Sequence, residues 1–246
     1  PFEDGVHELF KGFADSVNLR ELYLFDNWNR QVPRHDFADL LVRDWEKAMD
    51  GSIMRLLRNP QNQLRKLTLS NLGLQDHHLS VLLHMMSTCP IEYFAFAFNC
   101  VHVQGMQEFA NLLPRMPGLK YVDFRCNAWT KAPCTDDDRR MVGAALLQGL
   151  MENTWIETMH GIASTPQALL LWRWVAMNRA GRRLLTSSQP IPDGLLPFVL
   201  ARAWRAMSFA REDAIACDME DRCTKSEGAN AVYFFMRNYP RMLSLW

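Results

Sequence analysis

Apolar residues recur along the chain with a spacing that is typical of a short strand followed by a turn and a helix. The clearest run begins at Leu64, with leucines at relative positions 1, 4, 6, 9 and 11. Positions 4 and 6 are two residues apart, so the side chains of Leu67 and Leu69 point to the same side of a strand. Position 9, in the predicted turn, is Leu72, although a polar side chain there could bond backbone groups of the turn.

The same spacing recurs, and we number its copies as units 1 to 5. They begin at Leu19, Leu64, Ile91, Leu119 and Ile156. Units 3 and 4 carry the expected turn residues Asn99 and Asn127, whereas unit 5 is degraded, with Gly161 at position 6. The starts are 45, 27, 28 and 37 residues apart, which indicates insertions in units 1 and 4.

Residues 19–164 resemble leucine-rich repeats of the ribonuclease-inhibitor type, whose units alternate a strand with a full helix. The resemblance implies an α/β solenoid, with a short curved parallel sheet inside and helices outside, that binds proteins on its concave face. A unit buries its apolar side only against a neighbour, so the ends of a solenoid need caps. Helical spacing predicts an N-terminal capping helix within residues 1–18.

Capping and stop signals predict a helix after each strand. The expected helices run over 36–57, from Asp76 to before Pro90, over 105–113, and from Thr135 on. Thr135 precedes three consecutive acids, 136–138, which suit the positive end of a helix. The alternative for these acids is a metal site.

The repeat disappears at Thr165, and helical spacing predicts an α-helical C-terminal cap over 165–246. Its expected parts are helices over 169–185, 197–209 and 232–243 and a polar loop over 211–230. The run Asn178-Arg-Ala-Gly-Arg182 and the segments 195–203 and 232–240 resemble the Asn-Arg-x-Gly-Arg tail of uncharacterised diatom and algal proteins. This second resemblance implies a lineage and no particular activity.

Residues at positions 3, 5 and 7 of each unit point away from the core and form what we call the strand face. Exposed aromatic rings beside arginine are the usual composition of interface hot spots. The predicted partner-binding residues are Tyr23, Phe25, Lys66, Tyr93, Tyr121, Asp123, Arg125 and His160. Ala95 and Ala97 predict a shallow groove between them. The alternative is that the cap or the insertions cover this face.

A second candidate surface lies in the cap, where seven arginines face the single acid Asp193 between 168 and 211. Its predicted members are Arg173, Arg179, Arg182, Arg183, Arg202 and Arg205. Such a patch suits an acidic protein, anionic lipid headgroups or RNA. The alternative is internal pairing with the acidic loop, and we expect Asn178 and Arg179 to order the cap rather than to bind a partner.

Composition and cysteine spacing narrow the choice of function. The 246 residues carry a formal net charge of zero, which argues against a general nucleic-acid binder. No apolar run reaches the roughly 18–20 residues of a membrane span. The six cysteines lack Cys-x-x-Cys spacing, so we predict free buried thiols, with a Cys217–Cys223 bridge as an alternative. The chain begins at Pro1, and we expect an intracellular protein, either cytoplasmic or organellar after removal of a targeting peptide.

The chain lacks a Gly-rich phosphate loop, a Gly-x-Ser-x-Gly sequence and a His-Glu-x-x-His sequence. We therefore predict a non-catalytic protein-binding module without cofactor or metal, whose protein partner docks on the concave strand face. The alternative is a constitutive structural subunit of a larger organellar or membrane-associated assembly, held by the cap and the insertions.

Overall fold

A computed structural model describes residues 18–25, 53–131 and 133–185, together with isolated positions. The isolated positions are 12, 16, 195, 197–202, 205, 233 and 236–237. Several predictions lie outside the described residues: the N-terminal capping helix, most of the unit-1 helix, the loop at 211–230 and the Cys217–Cys223 pair.

Five strands form one parallel sheet in chain order, so the predicted α/β class and parallel sheet are confirmed. The strands are β1 (Glu21–Phe25), β2 (Lys66–Ser70), β3 (Tyr93–Ala95), β4 (Tyr121–Asp123) and β5 (Thr158–His160). The position-4 residues stand side by side across the sheet, in the order Leu22, Leu67, Phe94, Val122 and Met159. The sheet is not closed into a barrel, since β1 and β5 are its edges.

Helices connect successive strands and pack against one another in chain order. They are α1 (Met54–Arg58), α2 (Asp76–Met86), α3 (Val103–Leu112), α4 (Asp136–Glu152), α5 (Ala168–Ala180) and α6 (Arg182–Leu185), with 3₁₀ turns at Leu113–Arg115 and Ala128–Thr130. Leu69, Phe96 and Phe124 from the strand side are fully buried in one core with Leu82 and Phe109 from the helices. Among the described helices, none is long and apolar enough to span a bilayer.

Side-chain amides at position 9 connect neighbouring units. The Asn99 Oδ1 atom accepts a hydrogen bond from the Leu72 N–H at 3.0 Å, and its Nδ2 atom donates to the carbonyls of Leu69 and Phe96 at 2.7 and 3.2 Å. Asn127 also bridges two units, with its Oδ1 atom accepting from the Val101 N–H at 3.1 Å and its Nδ2 atom donating to two buried carbonyls. Each amide satisfies buried backbone groups that would otherwise lack partners. The leucine at position 72 is compensated by the next unit's asparagine.

The helices of units 2 and 3 and the first helix of the cap have boundaries that differ from the prediction, and the unit-3 helix begins at Val103 rather than at residue 105. Gln75, rather than Asp76, is the N-cap of α2, and its N–H donates to Nδ1 of His78 at 3.0 Å. Asp76 is the first helical residue, and its carboxylate accepts from the N–H of His102 at 2.7 Å. The helix expected to continue to residue 185 stops at Gly181, whose φ of 104° is left-handed and suits glycine.

The start of α4 is the predicted one. Thr135 is the N-cap: its Oγ1 accepts from the N–H of Asp138 at 3.1 Å, and the Asp138 carboxylate accepts from the N–H of Thr135 at 3.0 Å. Asp136 and Asp137 complete the acidic first turn. Within the described residues, no group of three His, Cys, Asp or Glu side chains is arranged to hold a metal. The 17-residue length of α4 and the 3₁₀ turn before it accommodate the unit-4 insertion.

Candidate functional site

One end of the strand face carries an exposed tyrosine beside an ion pair. The Lys66 Nζ atom lies 2.7 Å from Glu21 Oε1, and the Tyr23 hydroxyl donates to Glu21 Oε2 at 2.8 Å. The bonds from Lys66 and then Tyr23 lower the pKa of Glu21. The ring of Tyr23 remains 55% exposed. This end therefore offers an apolar ring whose neighbouring charges are already paired.

From β3 to the edge strand β5, the face carries a row of rings on three neighbouring strands. Tyr93 and Tyr121 are stacked, with centroids 4.0 Å apart and planes 6° from parallel. The imidazole of His160 lies 5.4 Å from the Tyr121 ring. Burial raises the pKa of Tyr121, as do its hydrogen bond to Tyr93 and the charge of Asp123. Stacking on paired strands fixes the orientation of these rings.

Asp123 and Arg125 form a tight ion pair in which only the arginine faces water. The Arg125 Nε and Nη2 atoms lie 3.0 and 2.7 Å from the two carboxylate oxygens, and the Arg125 N–H donates to Oδ1 at 3.0 Å. Asp123 is buried, so its prediction as a contact residue is wrong. It acts by orienting Arg125, whose side chain is 53% exposed.

A notch lies between the exposed side chains at position 7, and we define it by Phe25, Ser70, Ala97 and Arg125. Phe25 is paired with Ser70 in the sheet register. The N–H of Asn71 donates to the Ala97 carbonyl at 3.0 Å, and one unit later the N–H of Phe98 donates to the Arg125 carbonyl at 2.8 Å. Ser70 and Ala97 are buried and form the floor, whereas Phe25 is 54% exposed. The small residues thus lie between an aromatic wall and a cationic wall.

Phe98, at the rim of this notch, was missed by the sequence analysis. Its ring is 52% exposed, and its backbone is left-handed, with a φ of 61°. The equivalent position 8 of units 2 and 4 is also left-handed, but is occupied there by Asn71 and Cys126. The sequence did contain a signal for Phe98: it is a large aromatic residue directly before the turn residue Asn99, where the other units have smaller residues.

The thiols differ from the prediction of buried cysteines. Cys89, Cys100, Cys126 and Cys134 are free, but Cys100 and Cys126 are exposed. Positions 8 and 10 lie in the turn, outside the inward-facing positions 4 and 6, which explains the error. Cys89 is buried, and burial raises the pKa of its thiol.

The arginines of the second candidate surface do not form one exposed patch. Arg182 is only 3% exposed. Its Nη1 atom donates to the carbonyls of Leu150 and Asn153 at 2.7 and 3.3 Å, and its Nη2 atom donates to that of Met151. The guanidinium also lies 4.3 Å from the centre of the Trp174 ring. Arg182 therefore caps the C-terminus of α4, and its prediction as a docking residue is wrong.

Asn178 and Arg179 also attach α5 to unit 5. Asn178 is buried and donates to the Asn153 carbonyl at 3.0 Å. Arg179 donates to the Glu157 carbonyl and to the Thr158 hydroxyl, both at 3.0 Å. We call residues 178–183, together with the end of α4, the cap junction.

The remaining arginines are dispersed. Arg183 lies 4.8 Å from the centre of the Trp155 ring and 3.7 Å from Glu157. Arg173 is half-buried, whereas Arg202 and Arg205 are exposed. Only part of the predicted patch is therefore accessible to a partner.

No protein-family model and no curated protein matches this chain. A solved structure titled "Leiomodin-1 Actin-Binding Site 2 (ABS2)" is similar over 88% of this chain and 95% of that chain, at 14% identity and a TM-score of 0.45. At these values the similarity assigns neither a family nor a partner.

Proposed function

We propose that the chain is a leucine-rich-repeat solenoid that acts as a non-catalytic protein-binding module, with its partner docking on the strand face. The supporting observation is the set of aromatic rings on that face. Tyr23 and Phe25 are each more than half exposed, beside the ordered Tyr93–Tyr121 stack. Burying the exposed part of these rings against a partner would be favourable by about 25 cal/mol per Å² of apolar surface.

The charged groups of the face favour binding over catalysis. Glu21 is engaged by Lys66, and Asp123 by Arg125. A general acid or base needs a group that is free to exchange a proton with a substrate. The paired carboxylates of this face instead hold their cationic neighbours in fixed positions, as suits a recognition surface.

Affinity capture from the organism's own cells tests the proposal. The wild-type chain is compared with the variant carrying Tyr23→Ala, Tyr93→Ala and Tyr121→Ala, and recovered proteins are quantified by mass spectrometry. We expect loss of the specific partner, since a good anchor contributes roughly 2 kcal/mol or more. The matched control is Tyr233→Ala, which removes a 66% exposed tyrosine of the C-terminal region. Circular dichroism establishes that each variant is folded.

Equal capture by wild type and triple variant would exclude the strand face as the docking surface. The same preparation tests the alternative of a constitutive structural subunit. A folded, monodisperse monomer of the wild-type chain supports a module that binds reversibly. A chain that is insoluble or unfolded without its assembly supports the structural subunit.

A further inference from the structure

We infer that the notch receives an acidic amphipathic helix of the protein partner, with apolar side chains against Phe25 and Phe98 and a carboxylate on Arg125. The inference rests on the proposed function and adds the chemistry of the partner. It is carried by the shape of the notch, the unlike chemistry of its two walls and the backbone conformation at its rim.

Ordinary strand spacing gives the notch about the width of one helix. Its walls, Phe25 and Arg125, belong to units 1 and 4, and the floor residues Ser70 and Ala97 belong to the two units between them. Neighbouring strands lie about 4.8 Å apart, so three spacings separate the walls by about 14 Å. A helix with its side chains is about 10–12 Å across. The small floor residues allow such a helix to approach the sheet closely.

The two walls select for an amphipathic acidic segment. The Asp123 carboxylate holds the Arg125 guanidinium through Nε and Nη2, and the Nη1 group makes no hydrogen bond to any described residue. Asp123 is buried beneath the arginine and does not cover its outer side. A rigid, half-exposed guanidinium is a strong donor to a partner's carboxylate. The opposite wall is a phenyl ring that only apolar groups complement.

The backbone conformation at the rim favours a role in binding, rather than in folding, for the aromatic side chain of Phe98. A bulky residue with a left-handed backbone is an outlier, and such strain is concentrated at functional sites. Phe98 combines this strain with an exposed ring, whereas Asn71 takes the same conformation with a side chain that tolerates it. A partner that covers the ring would offset both costs.

The test is selection from a phage-displayed library of amphipathic helices of about four turns, with a fixed leucine stripe and Glu, Gln or Lys at the flanking positions. The intact wild-type protein is the target. We expect enrichment of Glu over Lys beside the leucine stripe. Enriched peptides are then synthesised, and their affinities are measured by fluorescence anisotropy, with Glu→Gln and Glu→Lys versions on the unchanged protein.

The protein variants locate the binding site of the enriched peptides. Phe25→Ser and Phe98→Asn are each expected to weaken binding roughly tenfold or more, as loss of an anchor does. Arg115→Glu, which reverses an exposed charge in the 3₁₀ turn before β4 and outside the notch, is the surface control and leaves affinity unchanged.

The outcomes separate this inference from the proposed function. No enrichment, no preference for Glu or a preference for Lys overturns the acidic-helix inference. Peptides that lose affinity with Tyr93→Ala but not with Phe25→Ser overturn the notch and leave the strand face as the binding surface. Peptides insensitive to both substitutions overturn the inference, whereas the proposed function is overturned only by equal capture in the affinity experiment.

Discussion

Arg125 on the strand face and Arg182 at the cap junction were both predicted from sequence as binding residues, and they have opposite roles. Arg182 is buried, and its donors are used by the last carbonyls of α4 and by Asn178. Arg125 is oriented by Asp123 but is half exposed. At the cap junction, the fold buries the arginine and engages its donors in contacts within the chain. On the strand face, the fold orients the arginine but leaves half of its side chain accessible to a partner.

The same contrast extends to the surrounding residues. At the cap junction, Asn178, Arg179 and Gly181 each satisfy a backbone or capping requirement. By contrast, Phe25 on the strand face and Phe98 at the rim of the notch each expose more than half of the side chain to solvent. Substitutions at the junction should therefore lower stability without changing binding, whereas substitutions of the exposed rings Phe25 and Phe98 should weaken binding without lowering stability.

The largest effect is expected for Arg182→Met. It leaves the carbonyls of Leu150 and Met151 without their donor and removes the cation from Trp174. We expect a loss of about 3 kcal/mol in the free energy of unfolding, measured by equilibrium urea denaturation. Arg183→Met, one residue away and partly exposed, is the control, with an expected loss under about 1 kcal/mol. Equal losses would remove the distinction between these two arginines.

A smaller loss is expected for Arg125→Leu. The buried Asp123 carboxylate would keep only the backbone N–H of residue 125, so we expect a loss of about 1–2 kcal/mol in the same assay. Adding Asp123→Asn should restore part of it, because the uncompensated charge is then gone. Additive losses in the double variant would show that Asp123 does not act through Arg125.

Phe98→Asn should raise the free energy of unfolding by about 0.5–1 kcal/mol, because asparagine tolerates the left-handed backbone better than phenylalanine. Thermal and urea unfolding both measure it. Phe98→Ala is the control. It removes the ring, but alanine does not tolerate the left-handed backbone as well as asparagine does, so we expect a smaller gain in the free energy of unfolding. A loss of stability with Phe98→Asn would mean that the ring packs for folding.

The smallest effect concerns pH. The folded-state pKa of Tyr121 is raised, so the unfolded chain loses this proton first as pH rises. The free energy of unfolding should therefore fall above about pH 10, the ordinary pKa of tyrosine, with the contribution complete below it. Tyr121→Phe should make that fall shallower in urea denaturation between pH 9 and about 11. An unchanged slope would contradict the stacked, half-buried environment of this hydroxyl.

Much of the fold was predictable because the repeat spacing encodes it locally. Leu67 and Leu69 face the core because alternate strand residues must, and Asn99 occupies the turn where an amide can bond buried backbone groups. The Thr135 cap of α4 was predictable because it, too, depends only on residues close together in the sequence. The candidate site was predicted less well, because Asp123 and Arg182 look like surface charges until their neighbours are known.

The sequence by itself determined the strand register, the inward-facing residues and the set of outward aromatic positions, since these follow from periods of two and of about 28 residues along one chain. Only the tertiary structure decided which of the outward groups meet water. That choice depends on residues far apart in sequence: the end of α4 lies about 30 residues before Arg182, which caps it. It also depends on backbone conformation, because the left-handed turn at Phe98 leaves its ring exposed at the rim of the notch.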